Sequence, residues 1–423
     1  MRNVATSVCR SGRLLTAFGI GAMIWFASFS AHAGSKFHAV LIENVEATSP
    51  LFVVGIEKRA DDKVPLPFKN HDCGPADECF AWGRPDPFDE IIGQRLGDRA
   101  PVVSHVVRIE KNRCVVVANT YGPMTCPATV ETELAPESVS GGWKALEDRL
   151  YAALEVEATR TQATHLIIMA TGWSTGQVDS IAHYNEWMTE IGDGMRGSVV
   201  AFRPIFVGLT WPSTWGVPLV SFGNKAHDAD EIGYTWANVL VNRVAARLKE
   251  KAGVRVVLLG HSFGSRMLTT AAYAARGINE TCAGSGAPDL LIGLQAAFSV
   301  SRYVPDRGDE GSPYQRYGDC SVRAAFTTSS KDWSLKLRPA DIFARGSFIG
   351  TDDVFETGPR EFLRVKATTS GRIEAPPTLP QGGVLLIDAG DVIRGLNAHN
   401  DVFDAEIGSL VADLITSYAS SGS

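Results

Sequence analysis

The stretch that organises this sequence reads Val254-Arg255-Val256-Val257-Leu258-Leu259-Gly260-His261-Ser262-Phe263-Gly264-Ser265-Arg266. Its apolar, β-branched first half indicates a strand, and the small and helix-favouring residues after it indicate a helix that follows at once. Glycines two residues before and after Ser262 suit a turn so tight that side chains there would collide. This strand–turn–helix order is typical of a nucleophile elbow, in which a strained backbone lifts the serine hydroxyl clear of the sheet. We therefore predict that Ser262 is a catalytic nucleophile.

The same glycine–serine–glycine pattern occurs once more, at Gly172-Trp173-Ser174-Thr175-Gly176. It also follows an apolar run, Leu166 to Ala170, but a helical pattern becomes clear only from about Ser180. A loop therefore separates this second serine from the next helix, whereas the helix after Ser262 starts without delay. The context favours Ser262 as the nucleophile.

One histidine follows the elbow in the sequence: His399, in Asn397-Ala398-His399-Asn400-Asp401. A serine nucleophile needs a base, and in proteins with such a turn the base comes last in the chain, after the acid. His399 lies between the last predicted strand and the final predicted helix, which places it in a loop. A solvated loop histidine, or one that caps the helix, is the alternative. The elbow and the lack of a downstream competitor favour the base.

The acid that orients such a base belongs in a loop that lies between the serine and the histidine in the sequence. Asp332, in Thr327-Thr328-Ser329-Ser330-Lys331-Asp332-Trp333, follows the next-to-last predicted strand and is our first choice. Asp388, at the end of the last predicted strand, is the main competitor, and Asp289 and Asp341 are weaker ones. An aspartate at a strand end also serves as a turn or cap residue, which is the alternative for each of them.

Two backbone N–H groups are needed to stabilise the oxyanion of an acyl-transfer intermediate. We expect one from Phe263, directly after the serine, and one from Trp173, next to Gly172, whose missing side chain lets the backbone approach closely. An ordinary strand–helix turn is the alternative for that loop. Trp211 and Trp333 also stand at predicted strand ends. With Gly172 they are expected to bind substrate, unless they pack in the core.

Helices and strands alternate in the sequence from residue 142 to residue 423, which predicts a mostly parallel sheet with helices on both faces. Residues 34–136 contain short strand patterns, and they supply either the first strands of the main sheet or a separate β-rich module. Pro, Ser and Gly cluster at the boundary, Pro136 to Gly142. The predicted helices in this region lie at 143–157, 181–191, 230–251 and 401–418. The predicted strands lie at 165–170, 199–209, 254–259, 291–299, 324–328 and 384–387.

The first 33 residues have the features of a secretory signal peptide. Arg2, Arg10 and Arg13 form a positive start, Leu14 to Phe29 an apolar stretch, and Ala31-His32-Ala33 a small-x-small cleavage site. A membrane anchor is the alternative, but the apolar stretch is short for one. We expect cleavage after Ala33, a secreted or periplasmic protein, and no membrane-spanning segment in the mature chain.

The charge balance argues against one class of partner. Of the 423 residues, 40 are basic and 47 acidic, and the predicted signal peptide contains three of the basic residues and none of the acidic ones. The mature chain thus has 37 basic and 47 acidic residues and a formal net charge of −10. An acidic exported protein has no electrostatic reason to bind nucleic acid or an anionic membrane.

Six cysteines remain after the predicted cleavage site, an even number that indicates disulfides in an exported protein. A zinc site is the alternative, but none of the cysteines has C-x-x-C spacing or a histidine pair nearby, so we expect no metal ion. The sequence does not fix the pairing. Proximity in the chain favours the pairs Cys73–Cys79, Cys114–Cys126 and Cys282–Cys320.

From about Gly142 to its end, the chain resembles the α/β-hydrolase superfamily, and more narrowly exported bacterial serine hydrolases. The residues that carry the resemblance are Gly260-His261-Ser262-Phe263-Gly264, Trp211-Pro212-Ser213, Asp332-Trp333 and His399. The resemblance implies an α/β-hydrolase fold, a serine–histidine–aspartate triad and the hydrolysis of esters, including lipid-like ones. Thr171 stands where many relatives have a histidine. This leaves the backbone donors intact and sets the chain apart from those subfamilies.

These observations predict an exported serine hydrolase, an esterase or lipase-like carboxylic ester hydrolase that works through an acyl-enzyme and needs no cofactor. The expected substrate is a small-molecule or lipid-like ester, and peptidase or thioesterase activity would use the same residues. The alternative from another class is a binding protein on a hydrolase scaffold. In that case the triad is either retained or no longer catalytic, and residues 34–136 bind a partner.

Overall fold

The computed structural model describes residues 47–58, 101–111, 113–119, 143–213, 218–275, 288–304, 314, 322–336, 347–395 and 398–420. The predicted signal peptide at 1–33, the boundary at 136–142 and Asp341 lie outside these residues, as do all the mature cysteines except Cys114. The cleavage site and the three disulfide pairs therefore stay predictions. No helix in the described part of the chain has both the length and the apolar character needed to cross a membrane.

Ten strands of the described residues form a single sheet. In chain order they are β1 (Ala47–Lys58), β2 (Pro101–Lys111), β3 (Arg113–Asn119), β4 (His165–Ala170), β5 (Pro204–Thr210), β6 (Arg255–His261), β7 (Leu290–Leu294), β8 (Ala324–Thr328), β9 (Leu363–Lys366) and β10 (Val384–Asp388). Across the sheet they lie in the order β3-β2-β1-β5-β4-β6-β7-β8-β10-β9. β2 is antiparallel to β1 and β3, and the other neighbouring strands are parallel. The loops after the parallel strands therefore lie along one edge of the sheet.

Helices cover both faces of this sheet. In chain order they are α1 (Trp143–Thr161), α2 (Gln177–Gly194), α3 (Pro218–Tyr234), α4 (Trp236–Val239), α5 (Ala246–Ala252), α6 (Phe263–Tyr273), α7 (Trp333–Lys336), α8 (Asp352–Thr357) and α9 (Ala405–Tyr418), with a π-helical segment (Leu240–Ala245) between α4 and α5. One hydrophobic layer contains α1 and α3 to α6, and the other contains α2 and α9. The chain thus has the α/β-hydrolase fold that the sequence predicts.

The central strands are apolar throughout because both of their faces are covered. All six residues of β4 and the last six of β6 are buried. Successive side chains of a strand point to opposite faces, so Leu258 belongs to the first hydrophobic layer and Leu259 to the second. Runs of valine, leucine and isoleucine favour such doubly covered strands. The last residue of β6, His261, brings the chain to the edge where the candidate site lies.

The strands β1, β2 and β3 extend the main sheet, because β1 pairs in parallel with β5. Of the two alternatives for this region, the described part therefore supplies the first strands of the sheet. Gly55 of β1 lies against the ring of His105 in β2, and a Cβ added to Gly55 would overlap that ring. His105 is fully buried. This close approach fits β1 tightly against β2.

The predicted helix at 230–251 is interrupted in the structure. α3 ends at Tyr234, and Thr235 departs from helical backbone angles, with φ −101° and ψ −99°. The side-chain amides of Asn238 and Asn242 each donate a hydrogen bond of 2.7 Å to a main-chain carbonyl near the end of α6. These tertiary contacts are made by polar side chains, and a prediction based on the spacing of apolar residues does not include them.

Two predicted strands are shorter in the structure, and one edge strand has no counterpart in the prediction. The strand expected at 291–299 ends at Leu294, where Gln295 turns the backbone to a positive φ of 45°. The strand expected at 199–209 begins only at Pro204. The edge strand β9 is short and only partly buried, so its sequence lacks the apolar run by which the central strands are predicted.

We predict that Gly55→Ala lowers the free energy of unfolding by about 1–3 kcal/mol, because the new methyl group overlaps the buried His105 ring. Gly192→Ala is the matched control. It lies in α2, where an added Cβ meets nothing within 4 Å, so alanine should stabilise the helix by roughly 0.5–1 kcal/mol. Urea denaturation measures both effects. Equal stability of Gly55→Ala and the parent protein would mean that β1 and β2 do not pack in this way.

Candidate active site

The turn between β6 and α6 has the geometry of a nucleophile elbow. Ser262 stands between the two elements with φ 53° and ψ −121°, a backbone conformation that is strained for a residue with a side chain. A Cβ added to Gly260 would lie 2.5 Å from main-chain atoms of Ser265. One added to Gly264 would overlap the carbonyl group of Ala170 at the end of β4. Both glycines are therefore required for the turn to close against its own helix and the neighbouring strand.

Main-chain hydrogen bonds hold the strained serine in place. The N–H of Ser262 donates to the carbonyl of Leu294 in β7 at 3.0 Å. Its carbonyl accepts from the N–H groups of Ser265 at 3.1 Å and Ala297 at 3.3 Å. The elbow is thus fixed to the next strand of the sheet on one side and to its own helix on the other.

His399 lies within hydrogen-bonding distance of Ser262, although 137 residues separate them in the sequence. It belongs to the 3-10 turn Ala398–Asn400, shortly before α9. Its Nε2 is 2.9 Å from Ser262 Oγ, and its Nδ1 is 2.7 Å from Asp332 Oδ2. Because an ionised carboxylate only accepts hydrogen bonds, we assign the proton to Nδ1, which leaves the Nε2 lone pair facing the serine hydroxyl. This tautomer can take up the Ser262 proton.

The carboxylate of Asp332 is fully buried and accepts four hydrogen bonds. Its Oδ1 accepts from the N–H groups of Ser334 at 2.9 Å and Leu335 at 3.2 Å, at the start of α7. Its Oδ2 accepts from His399 and from the side-chain amide of Gln295, the latter at 2.8 Å. Burial by itself raises the pKa of Asp332. The hydrogen bond and charge of His399, with the hydrogen bond from Gln295, outweigh burial and hold that pKa below its ordinary value.

The other candidate acids occupy different places in the described structure. Asp388 ends β10, is half-buried and accepts a hydrogen bond of 3.0 Å from the N–H of Gly390. Asp289 precedes β7 at the opposite edge of the sheet and forms an ion pair of 3.0 Å with Lys249. Neither carboxylate is hydrogen-bonded to His399. Of the described aspartates, the one after β8 is the partner of the imidazole.

A second histidine holds the backbone of the first. His261, the buried residue before Ser262, donates from Nε2 to the main-chain carbonyl of His399 at 2.8 Å. Burial lowers the pKa of His261 to about 3, and the nearby charge of His399 acts in the same direction. A neutral imidazole therefore fixes the 3-10 turn that carries the candidate base. The only signal for this contact in the sequence is the position of His261 inside the elbow.

The second glycine–serine–glycine segment forms a loop beside the elbow. A Cβ added to Gly172 would lie 2.6 Å from Ser262 Cβ and 3.1 Å from its Oγ, so only glycine lets the loop backbone come this close. Ser174 is exposed and has a positive φ of 63°. Its N–H donates to the carbonyl of Ser213 at 3.1 Å, and the N–H of Thr175 donates to the Ser213 hydroxyl at 3.1 Å. This segment therefore adjoins the elbow and is not a second one.

Of the two residues predicted to supply oxyanion donors, Phe263 directly follows Ser262, and Trp173 lies in the loop that packs against Ser262. Phe263 is also the first residue of α6. Trp173 follows Gly172 in the adjoining loop, and its half-buried ring packs on the first hydrophobic layer. The positions of both residues are compatible with an oxyanion site beside the serine hydroxyl.

The tryptophans predicted to bind substrate have opposite environments. Trp211 is 1 % exposed, and its indole N–H donates to the carbonyl of Thr171 at 3.0 Å. It belongs to the core, where it supports the Gly172 loop and presents almost no surface to a substrate. In the sequence, a tryptophan at a strand end looks the same whether it packs in the core or binds substrate, so the structure is needed to distinguish the two. Trp333, by contrast, is 72 % exposed, directly after Asp332.

We predict that the free energy of unfolding falls more steeply with decreasing pH in the parent protein than in the His261→Gln variant. The unfolded chain binds a proton on this histidine near its ordinary pKa of 6.5, whereas the folded protein, with a pKa of about 3, does not. The free energy of unfolding therefore falls as the pH is lowered through that window, by up to about 1.4 kcal/mol per pH unit. Glutamine keeps a donor for the His399 carbonyl and does not titrate. Urea denaturation over this pH range measures both slopes, and parallel slopes would contradict a buried neutral imidazole.

Comparisons with known proteins give distant similarities. No protein-family model matches this chain, and no curated protein matches it in sequence. Among solved structures it is similar to the poly(3-hydroxybutyrate) depolymerase LpqC from Bordetella parapertussis, with 14 % identity, a TM-score of 0.34 and coverage of 60 % of this chain and 80 % of that one. It is also similar to TT1662 from Thermus thermophilus, with 12 % identity, a TM-score of 0.27 and coverage of 57 % and 87 %. The strand order and the elbow, rather than these similarities, identify the α/β-hydrolase fold.

Proposed function

We propose that this protein is an exported serine hydrolase that cleaves carboxylic esters through an acyl-enzyme. One observation carries the proposal. The Ser262 hydroxyl, the His399 imidazole and the Asp332 carboxylate are joined in that order by hydrogen bonds of 2.9 and 2.7 Å at the turn after β6. A serine hydroxyl becomes a nucleophile near neutral pH when such a base removes its proton, and the carboxylate stabilises the positive charge that the base acquires.

In the first half of the proposed reaction, Ser262 Oγ attacks the carbonyl carbon of the ester while its proton passes to His399 Nε2. The bond between that carbon and the alcohol oxygen then breaks, and the leaving oxygen takes the proton from Nε2. The acyl group stays bound to Oγ. Asp332 orients the imidazolium and remains ionised throughout, in line with its lowered pKa.

In the second half, a water molecule takes the place of the alcohol. His399 Nε2 removes a proton from the water as its oxygen attacks the acyl carbon. The bond to Ser262 Oγ then breaks, Oγ recovers the proton from Nε2, and the carboxylic acid leaves. Apart from the ester itself, both halves use only water and groups of this chain.

The carbonyl oxygen becomes negatively charged in each half and needs donors aimed at it. In this proposal the N–H groups of Phe263 and Trp173 supply them. Phe263 stands at the amino end of α6, where the helix dipole favours a negative charge. The lack of a side chain at Gly172 leaves the loop backbone close to Ser262 Oγ, which supports a donor from the next residue.

An ester with an apolar acyl or ring portion is the proposed substrate class. Trp333 exposes 72 % of its surface directly after Asp332, and an exposed indole there can bind an apolar group. The features of a signal peptide in residues 1–33 support export to a secreted or periplasmic location. The alternative function is a binding protein on a hydrolase scaffold, which a serine-directed probe distinguishes from an enzyme.

We predict that a fluorophosphonate probe labels the mature protein on Ser262. Ser262→Ala should abolish the labelling, whereas Ser174→Ala, which changes the serine of the second motif, should retain it. Fluorescence of the labelled band measures the extent of reaction, and circular dichroism checks that each variant is folded. Undiminished labelling of Ser262→Ala would contradict the proposed nucleophile. No labelling of the folded parent protein would contradict the enzyme and favour the binding protein.

We predict that Trp333→Ala raises KM for long-chain p-nitrophenyl esters by roughly 5- to 30-fold, the loss expected for about 1–2 kcal/mol of apolar contact. KM for the acetate ester and kcat for all esters should change little, because the triad keeps its hydrogen bonds. Val199→Ala is the control, since it shortens another exposed apolar side chain, ahead of the amino end of β5. A change in KM that does not depend on acyl length would contradict binding of the acyl chain by Trp333.

A further inference from the structure

Gln295 follows β7, next to the strand that leads into the elbow, and its backbone is strained. Its φ is 45°, and the residue is fully buried. A left-handed backbone is unfavourable for a long side chain, because such a side chain lacks the short-range hydrogen bonds by which asparagine tolerates it. Residues held in such conformations cluster at functional sites, where their surroundings maintain them. The contacts of Gln295 lead to the proposed triad.

The backbone N–H of Gln295 starts a series of hydrogen bonds with a fixed direction. It donates to Thr327 Oγ1 in the neighbouring strand β8 at 2.8 Å. The Thr327 hydroxyl accepts that bond and directs its one hydrogen to Gln295 Oε1 at 3.0 Å. The amide oxygen therefore faces the threonine, and the amide NH2 group faces the other way.

That NH2 group meets the proposed triad. Gln295 Nε2 donates to Asp332 Oδ2 at 2.8 Å, and the same oxygen accepts from His399 Nδ1 at 2.7 Å. A main-chain N–H can only donate and an ionised carboxylate can only accept, so the two ends of this series fix the direction of the hydroxyl and amide bonds between them, and the same carboxylate accepts from the imidazole. With this direction, the lone pair of His399 Nε2 is left facing Ser262.

We propose that Gln295 and Thr327 are positioning residues for the triad. Thr327 fixes the orientation of the Gln295 amide, and the amide fixes the Asp332 carboxylate in the orientation that selects the tautomer of His399. The side-chain hydrogen bonds of Gln295 and Thr327 join these residues to each other and to Asp332, and not to Ser262 Oγ or His399 Nε2. The inference rests on the proposed function, which gives this tautomer its use, but the direction of the hydrogen bonds is a property of the folded protein alone.

Burial makes the orientation of the amide matter. In the described structure, the groups that face the buried Asp332 carboxylate are His399, Gln295 and two N–H groups of α7, and the neutral His261 lies nearby at the end of β6. Burial raises the pKa of Asp332, and the donors from His399 and Gln295 lower it. A reversed amide would turn its oxygen toward the carboxylate. Repulsion would then replace attraction in a site with little water to screen it.

Two successive threonines of β8 give a matched test. Thr327→Val keeps the shape of the side chain and removes the hydroxyl that orients Gln295. Thr328→Val makes the same change at the next residue, whose buried hydroxyl donates to the carbonyl of Ile387 at 3.2 Å. For p-nitrophenyl acetate we expect Thr327→Val to lower kcat by roughly 10- to 100-fold with KM unchanged. Thr327→Ser should restore kcat, and Thr328→Val should keep the parent value.

Gln295→Glu is a second variant of nearly the same shape. When ionised, its carboxylate cannot donate and repels Asp332, whereas in its protonated form it can donate again; burial and the neighbouring carboxylate both raise its pKa. We expect the ratio of its kcat/KM to that of the parent to be lowest at the alkaline end of the pH range and to rise as the pH falls. The same ratio at every pH would indicate a merely structural role and overturn the proposal.

A readout that needs no catalysis separates this inference from the proposed function. The proton between His399 Nδ1 and Asp332 should give a low-field 1H NMR resonance, assigned by its absence in Asp332→Asn. We expect Thr327→Val to shift or broaden this resonance and Thr328→Val to leave it unchanged. If it responds in this way in a protein that hydrolyses no ester and binds no probe, the proposed function fails and the positioning inference stands. Identical resonances in the two valine variants would overturn the inference, whether or not the protein is an esterase.

Discussion

The hydrogen bond between His399 and Ser262 is the contact on which the rest of the site depends. Its two residues are held by separate means. Main-chain hydrogen bonds fix Ser262 to β7 and α6, while His399 is held through its carbonyl by His261 and through its ring by Asp332. Because β6, β8 and β10 are parallel, the loops that carry these groups lie at one edge of the sheet. The topology thus brings together side chains that are far apart in the sequence.

Three residues with positive φ lie around this contact: Ser174, Ser262 and Gln295. Each follows a central strand, and each is held by hydrogen bonds, Ser174 to Ser213 and Gln295 to Thr327 among them. One such residue costs of order 1–3 kcal/mol, which the packed layers on both faces of the sheet must offset. Strained backbone at this edge of the sheet is expected of a site whose polar groups are held in place before a substrate binds. Such a site needs little reorganisation of its polar groups during the reaction.

Patterns in the sequence single out Ser262 by its glycines, His399 by the scarcity of histidine after the elbow, and Asp332 by strand order, and the structure brings these three side chains together. Alternation of apolar runs also predicts the central strands. Gln295 has no such signal, because a glutamine after an apolar strand is ordinary and its role depends on where Thr327 falls in β8 beside it. The apolar pattern also does not predict the interruption of the helix before β6, where the buried Asn238 and Asn242 form tertiary hydrogen bonds.

The formation of an acyl-enzyme on Ser262 is the step that the whole account requires, and rapid mixing with p-nitrophenyl acetate measures it. We expect protein quenched with acid during turnover to carry one acetyl group, and peptide mass spectrometry to locate it on the peptide that contains Ser262. An acetyl group on another residue, or ester hydrolysis without any acetylated protein at any time point, would contradict the account.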